Sequence, residues 1–200
     1  MNFLLYKTLC EEKEKFMKER RVMTICIFMA VLMIFLSGCM KIGHFKDEEK
    51  VYSDISKSIV GAIKSEDTSA LKKLFSKNSL KKIDNIDESI DELMSYFKND
   101  KIKKYTVDPS GDDRSVEAGE YSQDVTADMF IETENKYYYI LLKVRAVDTE
   151  NEDNVGLISL NMAETVEKGR PVHGIDYDKF DIPGVHIGDS RIENGEIPTY

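Results

Sequence analysis

A 200-residue chain with 42% hydrophobic and 32% charged side chains has apolar content enough for one folded core and too much for a disordered chain. Its net charge is −9; six of the 28 basic and four of the 37 acidic side chains precede Cys39, so the segment from Cys39 onward carries −11. A nucleic-acid partner needs a basic patch to neutralise phosphates, and a sequence this acidic presents none.

The first element is a leader. Lys18, Arg20 and Arg21 form a basic patch ahead of residues 22–36, fifteen residues without a charge. A bilayer-spanning helix takes about 20 apolar residues, whereas an apolar run of about 7–15 suits a cleaved signal. The run ends in Leu36-Ser37-Gly38-Cys39, the pattern of a bacterial lipobox. Small Ser37 and Gly38 admit a peptidase, and cleavage between Gly38 and Cys39 frees a cysteine for diacylglycerol and palmitate. Residues 17–38 are therefore read as a lipoprotein signal peptide starting at Met17. Residues 1–16, with Glu11, Glu12 and Glu14, are read as a start-site extension. Residues 39–47 become a lipidated tether, whose stretch after Cys39 reaches at most about 28 Å. The expected address is the extracytoplasmic face of the cell membrane. Lipid alone holds the protein there, because an acidic domain is repelled by anionic headgroups. Cys10 and Cys26 leave with the signal and no cysteine follows Cys39, so neither a disulfide nor thiolate catalysis is expected.

A single domain is predicted over residues 48–164. Val51, Ile55, Ile59, Ala62 and Ile63 recur at helical spacing, with acidic Asp47, Glu48 and Glu49 favouring the helix start. Asp67 or Thr68 caps a second short helix with Leu71, Leu74 and Phe75 inward. Asn78 or Ser79 opens a turn containing Leu80 and Ile83. Asp87 caps a further helix with Ile90, Leu93, Met94 and Phe97 on one face.

From Lys101 the period becomes two. Tyr105 and Val107 belong to a strand that Asp108-Pro109-Ser110-Gly111 stops with turn chemistry, and residues 116–121 make a weaker strand. Val125, Ala127, Met129 and Ile131 then alternate with Asp124, Thr126, Asp128 and Glu132, a half-buried strand with its acidic side in water. In the next strand Tyr138, Ile140, Leu142, Val144 and Ala146 fill one face, and Lys143 and Arg145 mark the other. The acidic loop 148–154 reverses into a last strand over residues 155–163. Helices followed by an antiparallel meander make an α+β domain. Residues 165–200 hold five glycines and three prolines and read as a tail with little regular structure, in which residues 185–187 pack back on the domain.

This order of elements resembles the cystatin-like, nuclear-transport-factor-like cone, in which helices pack on a curved antiparallel sheet. ALKKLFSKNSLKKIDNIDESIDELMSYFKND, then DTENEDNVGLISL, then PGVHI resemble a Gram-positive lipoprotein family, domain of unknown function 5104. The characteristic places are Leu74-Phe75, Ile86-Asp87, the helix end at Phe97 and Asn154-Val155-Gly156. They are structural signatures. The resemblance implies fold and address, and brings no catalytic residues.

Chemistry-bearing motifs are absent: no Gly-rich phosphate loop, HExxH, Cys-x-x-Cys or Gly-x-Ser-x-Gly elbow occurs. His44, His173 and His186 all fall in tether or tail, so no acid–base histidine is expected in the core; His186 with Asp189 could at most fold over a pocket mouth. Asp124, Asp128 and Glu132 share a strand side, which suits metal or acid–base use but suits a solvated face better. Asp148, Glu150, Glu152 and Asp153 fail the EF-hand pattern, with Asp153 and Ser159 where glycine and glutamate would stand. That loop is a weak calcium site or an acidic hairpin tip. The tyrosines Tyr137, Tyr138 and Tyr139 put at least one ring on the concave face. Tyr105, Tyr138, Met129 and Phe97 are the candidate lining of a pocket, although filling the core is the simpler role for them. No cofactor is implied. The reading is a non-catalytic binding or scaffolding module, anchored through Cys39, for an envelope protein, a peptide or a small molecule. The alternatives are an enzyme with a pocket between helices and sheet, and an immunity-type or envelope-assembly interaction protein.

Overall fold

Asp47 starts the fold: its carboxylate accepts from the Glu49 amide at 3.0 Å and caps α1 (Glu48–Lys64). The structure, a computed structural model, describes residues 45–165 and 177–188; the leader, Gly38, Cys39, His44, His173 and Asp189 lie outside the described residues. Glu48 and Glu49 in the first turn and Lys64 in the last complement the helix dipole. Ile59, Val60, Ala62 and Ile63 form its buried stripe.

Asp67 caps α2 (Thr68–Lys72) through the Ala70 amide at 2.8 Å, as the sequence suggests. The expected turn around Asn78 and Ser79 is instead a helix, α3 (Lys77–Lys82), because Ser76 caps it by accepting from the Ser79 amide at 3.0 Å. Helix α4 (Ile86–Phe97) begins after Asn85, two residues earlier than an Asp87 cap would set it. Asp87 sits inside the first turn and pairs with Lys72 at 2.7 Å.

Five strands follow in sheet order β1-β2-β3-β4-β5: β1 (Ile102–Glu117), β2 (Glu120–Thr133), β3 (Tyr137–Asp148), β4 (Gly156–Thr165) and β5 (Gly184–Ile187). The first four form the expected antiparallel meander. β5 pairs parallel to β4, Leu160 opposite Val185, so the short piece at 185–187 is a strand of the sheet. Asp108-Pro109-Ser110-Gly111 does not stop β1. It is a register shift between Pro109 and Gly111 within one long strand. Proline is tolerated there because β1 is an edge strand, where a missing amide breaks no ladder. The reversal comes at Ala118-Gly119, both at positive φ (51° and 88°), the backbone of a type I′ hairpin turn.

One face of the sheet carries Met129, Ile131, Tyr138, Ile140, Leu142, Leu160, Met162 and Val185 into a core shared with Ile59, Leu71, Ile90 and Leu93 from the helices. The opposite face departs from the expected pattern. Asp128 is only 2% exposed, and Tyr139, Leu141 and Asn161 on that side are buried too. β3 is therefore buried on both sides, which accounts for its unbroken apolar run Tyr137–Leu142 where alternation is lost. Part of the cover is the 177–183 segment: Ser159 donates its hydroxyl to the Phe180 carbonyl at 2.7 Å, and Lys143 pairs with Asp181 beneath the Phe180 ring.

Candidate functional site

The four aromatic and sulfur side chains singled out from sequence do converge. Tyr138, Phe97 and Met129 lie within the core cluster and Tyr105 packs against its edge. The Tyr138 ring stands 4.7 Å from Phe97 and 6.2 Å from Tyr96, and its hydroxyl donates to the Tyr96 carbonyl at 3.1 Å. Burial, helped by Glu164 and Asp100, pushes the Tyr138 phenol well above its ordinary value. Of these four, Tyr105 and Tyr138 border a small cavity within the sheet. Lined also by Thr106 and Phe130, it measures about 10 Å³, room for about one water and no more.

Larger recesses open at the surface. A groove of about 640 Å³ runs between α1 and the β3–β4 edge, floored by Val51, Ile55, Val144 and Val155 and rimmed by Lys50 and Asp54. A polar cleft of about 310 Å³ lies beyond it, between α3 and the second face of the sheet, with Ser79, Lys82, Lys143 and Asp181 on its walls. Arg145 lines both.

Arg145 also organises the acidic residues around it. Its guanidinium pairs with Asp124 and, at 3.0 Å, with Asp148. Burial alone would raise the Asp148 carboxyl. The Asn151 amide (2.8 Å), the Asn154 side chain (2.8 Å) and Arg145 outweigh it and hold Asp148 below the usual carboxylate range. Loop 148–154 is thus shaped by one buried carboxylate, and Asp153 is taken by Lys77 at 2.8 Å and Lys81 at 3.8 Å. Of the strand trio, Asp124 serves Arg145, Asp128 accepts from the Tyr139 hydroxyl at 2.9 Å, and Glu132 stands at the cavity beside Tyr105. The three do not meet at one point. Among the described residues no group of three or more His, Cys, Asp or Glu is placed to hold a metal ion. His186 turns its Nε2 to the Ile182 carbonyl at 2.9 Å.

One polar cluster has no forerunner in the sequence reading. Gln123, 0% exposed on β2, accepts from the Lys46 amide at 2.8 Å and donates to the Lys46 carbonyl at 3.0 Å. Its second amide hydrogen goes to Asp112 at 3.0 Å, so both its donors are used. Beside it the Phe45 ring meets Tyr121 edge-on at 6.0 Å, with the Arg114 guanidinium 5.3 Å above it. Gln123 and Lys46 are 77 residues apart, and a lone glutamine in a strand gives no local signal of such a partner.

Among the described residues no helix is long and apolar enough to cross a membrane. No curated protein matches the chain. Residues 58–167, more than half of the sequence, match a family model. They include Leu74-Phe75 and Gly156, where the α2–α3 linker is hydrogen-bonded to β4. On that match the chain belongs to the DUF5104 family, a domain of unknown function.

Proposed function

We propose that this protein is a lipoprotein, cleaved before Cys39 and acylated there, whose domain is a cone of the cystatin-like kind held at the extracytoplasmic face of the cell membrane. It acts there as a non-catalytic binding or scaffolding module. The observation that carries this reading is the filled interior. Between helices and sheet, where an enzyme of this architecture would hold its substrate, Tyr138, Phe97 and Met129 are buried in one core cluster, the Tyr138 ring 4.7 Å from Phe97. Small-molecule sites take roughly 300–1,000 Å³. Among the surface recesses of that size, the open groove along α1, with apolar floor and charged rim, suits a peptide segment of an envelope protein better than a reacting small molecule.

Cross-linking on intact cells with mass spectrometry tests it, comparing the native chain with Cys39→Ala and with Ile55→Glu in the groove floor. The expected result is one envelope protein enriched with the native chain, lost with Ile55→Glu, and absent with Cys39→Ala, whose folded domain appears in the medium. Equal recovery from all three would overturn the reading.

A further inference from the structure

The polar cleft of about 310 Å³ between α3 and the second face of the sheet has hydrogen-bond donors left over on its walls. Ser76 and Ser79, 2% and 5% exposed, both line it. The Ser79 amide donates to the Ser76 hydroxyl at 3.0 Å, and the two hydroxyls share one bond at 2.8 Å. That bond uses one hydroxyl hydrogen, so the pair keeps a second, which meets no acceptor among the described residues. A buried donor left unmet is costly and calls for a partner. The charges on the walls are uneven too. Asp181 is taken by Lys143, and Asp124 by Arg145, which also holds Asp148. Lys82 follows Ser79 by three residues on α3, hence on the same side of the helix. It lines the cleft and has no ion-pair partner among the described residues.

We propose that this cleft is a binding site for a carboxylate carried on a small, partly apolar group. One carboxylate oxygen takes the Lys82 ammonium, and the other accepts the free hydroxyl hydrogen of the Ser76–Ser79 pair. One free cation and one free hydroxyl match the single charge and paired oxygens of a carboxylate. Phosphate, with more oxygens and more charge, would need the donors that Lys143 and Arg145 already give to Asp181 and Asp124. The acidic chain also repels each further negative charge on a ligand. Half-buried Ile158 and Pro183 on the walls offer contact to the carbon part. The volume stands at the low end of small-molecule sites, which take roughly 300–1,000 Å³. The occupant is therefore a small free acid or the last residue of a peptide. This site does not depend on the peptide reading of the groove along α1.

The test titrates the isotope-labelled full-length protein, in a neutral detergent, and follows its amide resonances by nuclear magnetic resonance. The probes are isovalerate, the dipeptide acid acetyl-alanyl-valine, uncharged isovaleramide and inorganic phosphate. The two carboxylates should give saturable shifts centred on residues 76–82 and 143–145, absent with isovaleramide and weaker with phosphate. Whichever carboxylate binds more tightly names the source, a free acid or a chain terminus. Lys82→Met, at an exposed position, should weaken binding about tenfold or more, and Ser79→Ala, which leaves the Ser76 cap in place, about fivefold. Lys81→Met removes the same charge from the same helix at a residue outside the cleft, and should change affinity by less than about twofold. The proposal is overturned by the absence of a saturable shift with either carboxylate, by an equal response to isovaleramide, by tighter binding of phosphate, or by equal losses in the Lys81 and Lys82 variants.

Discussion

Replacing Gly156 with alanine should be among the most damaging single-methyl changes available to this domain. Gly156 has φ +137°, a region that side chains avoid, and an added Cβ would lie 2.8 Å from the Ser76 nitrogen and 3.0 Å from the Leu74 oxygen. Both are backbone atoms, so no side-chain rotation relieves the clash. Relief requires the α2–α3 linker to move off β4, which breaks the Leu157 amide's bond to Leu74 (2.8 Å) and the Ser76 amide's bond to Leu157 (3.0 Å). Backbone strain of about 1–3 kcal/mol with two hydrogen bonds at about 1 kcal/mol each gives a loss of roughly 3–5 kcal/mol. For a domain of this size that lowers Tm by about 10–15 °C. Urea unfolding of the Cys39→Ala protein, followed by far-ultraviolet circular dichroism, reads it directly. Gly61→Ala is the control: a helical glycine with nothing within 4 Å of its added Cβ, it should stabilise by about 0.5–1 kcal/mol. A Gly156→Ala protein within about 0.5 kcal/mol of the native one would refute the argument from backbone approach.

Two further outcomes follow from the buried titratable groups. Asp148 is held below the usual carboxylate range, so its contribution is present above that range and is lost as pH falls through the folded-state value. Asp148→Asn should cost about 1.5–3 kcal/mol at neutral pH, and the gap to the native protein in urea melts should close on going below about pH 4. Tyr138 is shifted the opposite way relative to neutrality: its phenol is raised by burial, so stability is intact below the ordinary tyrosine value of about 10 and falls above it, where only the unfolded chain ionises freely. Tyr138→Phe should cost about 1 kcal/mol at neutral pH and make the alkaline loss of stability shallower, measured by thermal melts against pH.

Much of the fold is legible because local chemistry and tertiary packing agree. The stripe from Val51 to Ile63, the Asp67 cap and the alternation from Val125 to Ile131 each state their structure in a few neighbouring residues. The misses come where the partner is remote. Asp108-Pro109-Ser110-Gly111 has the composition of a turn, and only the position of β1 at the sheet edge lets it pass as a bulge. Asp128 looks solvated from its neighbours, and its burial depends on Tyr139 across the ladder. The candidate site divides in the same way. Tyr138, Phe97 and Met129 are found together because apolar periodicity points them at one core, whereas Gln123 meets Lys46 only through the closure of the whole sheet.

The four residues of β5 bear on where a stable fragment of this protein can be cut. They hydrogen-bond along residues 159–162 of β4 and place Val185 beside Leu160 in the core. The span that carries the family match, residues 58–167, ends before them and begins within α1. A recombinant piece trimmed to those limits would lose the cover of β4 and the first turns of α1 together. It would offer a row of unpaired amides, backed by Leu160 and Met162, to any second copy it met, and such an edge is a template for aggregation. Fragments for crystallisation or binding assays should therefore run from Phe45 through Gly188.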